Sequence, residues 1–177
     1  MVFLAKNELI FHIKDKYKME ISLDEADIKI LNLIQKDATL TNQDIAEITG
    51  VSATSVWRRI KNLEDVGVIK GTVALLDQKK SNLNVSVIIH VRLSRHGEDT
   101  RTEFENFIEQ RPEVTECYAI LGQHDYALTV VVPNVEVFEK FLAGHLLNHP
   151  LISVSTSFFT LRQVKYTTAL PLNLHQT

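Results

Sequence analysis

The sequence predicts an α+β protein built in two parts, three short helices followed by a β-α-β-β-α-β alternation. Three observations carry this. Apolar residues recur at helical spacing between Ser22 and Leu63, the period shortens to that of a strand beyond Val68, and two helical stripes then interrupt four apolar strand runs. At 177 residues the chain is long enough for one medium domain or two small ones. With 45% hydrophobic and 23% charged residues, it falls outside the disordered and fibrous classes. A formal net charge of -3 argues against a protein that coats DNA or membranes by bulk charge. Any contact with nucleic acid must come from a local patch.

Residues 1–20 place Leu9, Ile10, Phe11 and Ile13 among lysines, the pattern of a short amphipathic helix or an arm. Lys6, Asn7 and Glu8 interrupt the apolar start, leaving no signal-peptide core and no spanning helix, so neither secretion nor a membrane partner is expected. The single cysteine, Cys117, permits no intramolecular disulfide, and the expected location is cytoplasmic.

From Ser22 the pattern sharpens. Ser22 or Asp24 can cap a first helix whose Ala26, Ile30, Leu33 and Ile34 form one buried stripe ending near Lys36. Thr41 with Asp44 three residues on resembles a capping box, opening a short helix that buries Ile45, Ala46 and Ile48 and stops at Gly50. Ser52 then caps a third helix with a stripe of Val56, Ile60 and Leu63, ending before Gly67. Two helices joined by so tight a turn form a helix-turn-helix.

A β pattern follows through Val73 to Leu76, and the polar run Asp77 to Asn84 reads as a linker. Strands are expected over Val85–Leu93, Val114–Leu121, Tyr126–Val132 and Ile152–Leu161. Between them fall helices with Phe104, Phe107 and Ile108 on one face, and with Phe138, Phe141, Leu142 and His145 on one face. This is the ferredoxin-like order. Val164 to Leu170 reads as an added edge strand or a segment exchanged with a partner chain. The expected division is an arm (1–20), a helix-turn-helix domain (21–71), a hinge strand and linker (72–84) and the ferredoxin-like domain (85–177). At roughly 60 residues a domain is only marginally stable alone, which favours a dimer.

The segment Ser52 to Leu63 holds Arg58, Arg59 and Lys61 and no acid, a local charge of +3 in a net acidic chain. At 100° per residue, Thr54, Arg58, Lys61 and Asn62 lie opposite the apolar stripe and would face a DNA groove. A merely solvated charged face is the alternative. Arg59 flanks the stripe, where pairing with an acid of the first helix is the competing role. Ser52, Ala53, Thr54 and Ser55 stand where backbone N–H groups meet a phosphate. Thr41 and Trp57 complete the DNA candidates, although Trp57 at the edge of the stripe reads first as a packing residue.

In the second part, Gly122 to Asp125 reads as a β-hairpin turn. Ser153, Ser155 and Ser157 share one face of the last strand and Thr156 the other, forming either a ligand-facing set or a plain solvent row. His145 and His149 have a spacing that metal ligands use, but without a third ligand they read as structural, and no metal or cofactor is expected. Cys117 reads as a small core or interface residue. No Ser-His-Asp order, phosphate loop or catalytic carboxylate pair stands out.

From Leu23 to about Leu172 the chain resembles the Lrp/AsnC (leucine-responsive regulatory protein and asparagine-regulator) transcription factors. The resemblance rests on Leu-Asp-Glu-Ala-Asp-Ile-Lys-Ile-Leu at 23–31, Val-Ser-Ala-Thr-Ser-Val-Trp-Arg-Arg-Ile-Lys-Asn-Leu-Glu at 51–64 and Gly-Val-Ile-Lys-Gly at 67–71. Pro-Glu-Val-Thr-Glu-Cys at 112–117 and Gly-Gln-His-Asp-Tyr at 122–126 extend it into the second part. It implies a winged helix-turn-helix, a hinge strand and a ferredoxin-like domain that dimerises, with larger rings such as tetramers or octamers, operator DNA as partner and amino acids as effectors. It also implies an effector pocket between subunits at this loop, which nominates Leu121, Gly122, Gln123, His124, Asp125 and Tyr126 with Ser155, Thr156 and Ser157. Asp125 would then hold an α-ammonium group.

The chain departs from the family at Thr39 or Leu40, where many members carry arginine, at Thr72, where an aromatic is common, and at Asn82 to Asn84, where a glycine is usual. Members also often start just before the Leu-Asp motif, which makes Met19 a candidate start. Siroheme decarboxylases resemble the same two-domain plan and supply the enzymatic alternative. They would need a large apolar tetrapyrrole pocket with basic or histidine residues within it, and their helix-turn-helix would not need a basic recognition face.

Overall fold

The computed structural model describes residues 21–95 and 97–172, so the expected arm over 1–20 lies outside the described residues. Contacts divide the chain into two compact units. Among the described residues, one holds 21–73 together with 167–172, and the other is Ala74–Tyr166. No helix among the described residues is long and apolar enough to cross a membrane.

The first unit contains α1 (Glu25–Ile34), α2 (Asn42–Thr49) and α3 (Ala53–Asp65). Each start is capped as its sequence dictates. Asp24 and Asp27 form a reciprocal capping box, as do Thr41 and Asp44, and Ser52 accepts from the Ser55 N–H. A helix begins with orphan N–H groups, and these side chains satisfy them. Gly50, at φ +74°, ends α2 in the left-handed conformation. Ile30, Ile45 and Val56, one from each helix, are buried together, with Leu33, Ile34, Leu40 and Ile60 packed around them. Burial of such side chains stabilises by about 1.5–3 kcal/mol each.

Two expected packing residues face outward instead. Ile48 is 61% exposed, because α2 is only two turns long and presents Ile45 and Ala46 to its neighbours. Trp57 is 58% exposed on α3, outside the buried stripe. Residues 167–172 return to this unit. The Gln35 side chain donates to the Leu170 carbonyl at 3.0 Å and accepts the Leu170 N–H at 2.8 Å, so one amide reads both backbone groups.

The second unit orders β1 (Val85–Leu93), α4 (Glu98–Glu109), β2 (Val114–Ala119), β3 (Tyr126–Val132), α5 (Val135–Phe141) and β4 (Ile152–Phe159). A π-turn over Leu142–Leu146 continues α5. The sheet order is β2-β3-β1-β4, antiparallel throughout, as the ferredoxin-like topology requires. Period two does the sorting. Val87, Ile89, Val91 and Leu93 of β1 and Tyr126, Leu128, Val130 and Val132 of β3 bury against Phe104 and Ile108 of α4 and Phe138 and Phe141 of α5. Ile88, Tyr118, Val154 and Phe158 remain exposed on the opposite face.

Other expectations give way. Among the described residues no strand precedes β1. The hinge stretch leaves Val73, Leu75 and Leu76 exposed, and a turn occupies Gln78 to Asn82, because a strand needs a partner for its N–H and C=O groups and none of the described residues supplies one. Val164 to Leu170 is likewise not a strand. The stripe expected to carry His145 widens into the π-turn; the His145 ring meets Phe141 at a tilt, and that of His149, outside the helix, meets Phe107. Burial holds the His149 imidazole below its ordinary pKa.

Candidate DNA interface and effector loop

On α3, Val56 and Leu63 are buried while Thr54, Arg58, Lys61 and Asn62 are exposed, the segregation that 100° per residue demands. Ser52 caps the helix, with Ala53 and Ser55 half-buried beside it, and Thr41 is spent on the α2 capping box. The basic residues do not act alike. Lys61 Nζ lies 3.4 Å from Glu64 and 3.6 Å from Asp65, acids just past the basic segment Ser52 to Leu63. Arg59 turns inward and bridges Asp24 and Asp27, both at 2.7 Å. The Asp27 N–H, then Arg59, hold the Asp24 carboxyl below its usual range, and Asp27, then Asp24, raise the guanidinium further.

In the second unit the Gly122–Asp125 loop is stitched to β1. The Asp125 N–H donates to the Val91 carbonyl at 2.8 Å and its carboxylate accepts the Leu93 N–H at 2.8 Å. Arg92 donates to the Gln123 carbonyl through Nε at 2.7 Å and through Nη2. Gly122 sits at φ +153°, a backbone state that side chains resist. Asp125 is therefore first a structural acceptor, at the point where β1 shifts register against β4. That duty competes with the expected one of holding an ammonium group.

The nominated residues do not converge on one point. Leu121, Gly122 and Gln123 are exposed, whereas Tyr126 is buried in the core with its hydroxyl donating to Glu105 at 2.8 Å. Burial, then Glu105, raises the Tyr126 pKa. Ser155 and Ser157 pair with Val91 and Ile89, which puts them on the helix side of the sheet rather than in a solvent row. Thr156 pairs with His90 on the open face.

His90 is the residue that sequence reasoning missed. Its ring lies 5.3 Å from His124 and 5.2 Å from Phe158, linking the loop to β4. The polar alternation of His90 and Arg92 within β1 was the available signal.

A groove of about 440 Å³ on the helix side meets the nominated set only at Tyr126, and is lined by Glu105, Glu109, Glu116 and Cys117 among others. Cys117 lines it on an edge strand rather than in the core, and burial, then Glu105, pushes its thiol up to about 11. Among the described residues no three of His, Cys, Asp or Glu gather as a metal ion would require.

A capped helix-turn-helix with a polar, basic outer face, carried on a chain with a separate βαββαβ unit, is the plan of a DNA-binding regulator. The profile of the Lrp/AsnC ligand-binding domain matches residues 86–170, and that of a winged helix-turn-helix DNA-binding domain matches residues 23–70. The glutamate uptake regulatory protein of Zymomonas mobilis is 38% identical over 150 residues, 85% of this chain and 91% of that protein. The DNA-binding transcriptional activator DecR of Escherichia coli is 35% identical over 150 residues, 85% of this chain and 99% of that protein.

Among solved structures, a transcriptional regulator of Neisseria meningitidis in complex with L-methionine superposes with a TM-score of 0.81 at 36% identity, covering 86% of this chain and 98% of its own. An AsnC-family regulator of Agrobacterium tumefaciens does so with a TM-score of 0.81 at 39% identity, covering 85% and 98%. The chain belongs to the Lrp/AsnC family of transcriptional regulators. It is a regulator rather than an enzyme, and nothing in these relatives favours the decarboxylase alternative.

Proposed function

We propose that α3 reads operator DNA, that two copies join through the open face of the sheet, and that an amino acid or a related small molecule acts through the second unit. The single observation that carries the DNA assignment is the segregation on α3, with Val56 and Leu63 buried and Thr54, Arg58 and Asn62 exposed on the other side. Arg58 has the reach and fork for a bidentate guanine contact, and Ser52 to Ser55 offer a helix N-terminus to a phosphate.

Dimerisation is supported by the apolar residues on the open sheet face. Tyr118 and Phe158, 57% and 49% exposed, stand with Ile88 and Val154 on a surface whose other side is filled by helices. Contiguous apolar surface of this kind marks an interface, and a two-fold axis would present the same patch from both subunits. Higher assembly into tetramers or octamers would build on this pair.

A zwitterionic effector needs an anion for its ammonium group and donors for its carboxylate, because burying either charge unpaired is costly. The Gly122–Asp125 loop with Thr156 offers both kinds of group, completed by a neighbouring subunit. The expected compartment is the cytoplasm, where the DNA lies. The test is a thermal-shift screen of the twenty amino acids, with L-methionine first because the Neisseria relative was solved with it. Binding to selected duplex DNA is then measured with and without the hit. Failure of the protein to bind any duplex selected from a random pool would refute the DNA assignment.

A further inference from the structure

We propose that Arg59 is a positioning residue of the DNA-reading unit, fixing the rotation of α3 against the start of α1, with its charge consumed inside the protein. The inference rests on the reading of α3 as the helix that meets DNA. Its basis is a closed ring of hydrogen bonds. Asp24 Oδ1 accepts the Asp27 N–H, and Asp27 Oδ2 accepts the Asp24 N–H, which forms the α1 capping box. The remaining oxygens, Asp24 Oδ2 and Asp27 Oδ1, both accept from Arg59 Nη1 at 2.7 Å. Each carboxylate thus uses one oxygen to start α1 and the other to hold α3.

Two features exclude Arg59 from the DNA contact. One guanidinium stands between two carboxylates, so a phosphate approaching its head meets a local charge of -1. Its Nε is also shielded from solvent, so the head does not swing freely outward. Arg58, one residue earlier, is exposed. A notch of about 320 Å³ is lined by Asp27, Arg58, Arg59 and Asn62, which places the bridge directly beside the groups offered to DNA. Rotating a helix by ~20° displaces a group ~6 Å from its axis by ~2 Å, which is enough to lose a directional hydrogen bond. The bridge therefore acts on specificity through Arg58 and Asn62.

The test uses the full chain, a duplex selected from random-sequence DNA by the wild-type protein, and a scrambled duplex of equal length. Affinity is followed against salt by fluorescence anisotropy, and stoichiometric titration gives the competent fraction. Arg59→Gln should lower the selected-to-scrambled affinity ratio about tenfold or more while leaving the salt slope unchanged. Asp24→Asn with Asp27→Asn keeps acceptor oxygens for the cap but frees the cation. This double variant should also lower the ratio, while scrambled-DNA binding tightens and its salt slope steepens by about one per subunit. A loss of folded protein alone would move neither ratio nor slope.

Arg59→Gln flattening the slope by about one per subunit with the ratio preserved would make Arg59 a phosphate contact and overturn the proposal. So would an unchanged ratio in both variants. Arg58→Ala is the control. If it also leaves both duplexes bound as in wild type, the reading of α3 itself has failed, and the positioning role falls with it.

Discussion

Replacing Asp125 with alanine removes the acceptor of the Leu93 N–H, a 2.8 Å bond made where the β1–β4 register shifts. Leu93 is 3% exposed, so water has little access to the freed donor. An orphaned buried N–H costs about 1–3 kcal/mol, and a carboxylate acceptor belongs in the upper part of that range. For a unit of roughly 90 residues each kcal/mol moves the melting midpoint by about 4–8 °C, so a loss of roughly 8 °C or more is expected. Asp125→Asn keeps an acceptor oxygen and should lose less than about 4 °C. Scanning calorimetry of the full chain measures both. An Asp125→Ala midpoint within about 1 °C of wild type would refute the structural role assigned to this carboxylate.

The comparison also decides how sensing should be tested. Asp125→Ala removes a strand contact and a charge together, so a lost ligand response in that variant has two explanations. Asp125→Asn separates them. If the charge holds an ammonium group, the asparagine variant should melt nearly as wild type yet lose the thermal shift produced by the amino acid. A shift equal to that of wild type would place the ammonium partner elsewhere.

Arg58→Ala should weaken binding to the selected duplex by ~1–3 kcal/mol per base pair read. Lys61→Ala should act less, since Lys61 already lies near Glu64 and Asp65; affinity and salt slope both unchanged from wild type in the two variants would refute the α3 interface. Tyr118→Asp with Phe158→Asp should convert the assembly to a 20.1 kDa monomer in sedimentation velocity, and an unchanged oligomer would remove the open sheet face from consideration. Gln35→Ala deletes both bonds to Leu170, so limited proteolysis should cut the C-terminal segment faster, and an unaltered rate would show that the clasp does not hold it. Cys117, raised to about 11, should alkylate slowly at neutral pH with a rate that climbs until about that value; a midpoint near 8.5 would contradict the burial argument.

What sequence reasoning read well was local. The Thr41–Asp44 box, the Ser52 cap, the glycine stop at Gly50 and the bounds of β3 follow from side chains within four residues of the backbone they serve. Burial along β1 and β3 was legible because one face meets helices and the period is two. The division of labour between Arg58 and Arg59 was only half legible. Helical angle placed Arg59 beside the stripe, but the two aspartates that claim it lie 32 and 35 residues away. Which side of the sheet the β4 serines face was illegible for a similar reason. Alternation says that Ser155 and Thr156 face opposite ways, and only the pairing with Val91 and His90 says which way is in.

The remaining misreadings share a cause. Val73, Leu75, Leu76 and Val164 are apolar and exposed, in stretches that read as strands and form none among the described residues. Trp57 and Ile48 are apolar, helical and exposed. An apolar pattern records burial somewhere without saying against what, and it cannot distinguish an intrachain neighbour from another molecule. Backbone groups in an extended stretch carry the same ambiguity, since a second copy or a ligand satisfies them as well as a neighbouring strand does. Removal of the oligomer by Tyr118→Asp and Phe158→Asp gives this argument a consequence beyond mass. If the hinge pairs with another copy, its amides should exchange with solvent markedly faster in the monomeric variant, while those of β3, paired on both sides within one chain, should keep most of their protection. Equal exchange in the hinge of both forms would show that these residues are solvated in the assembly too, and that their apolar pattern serves some other contact.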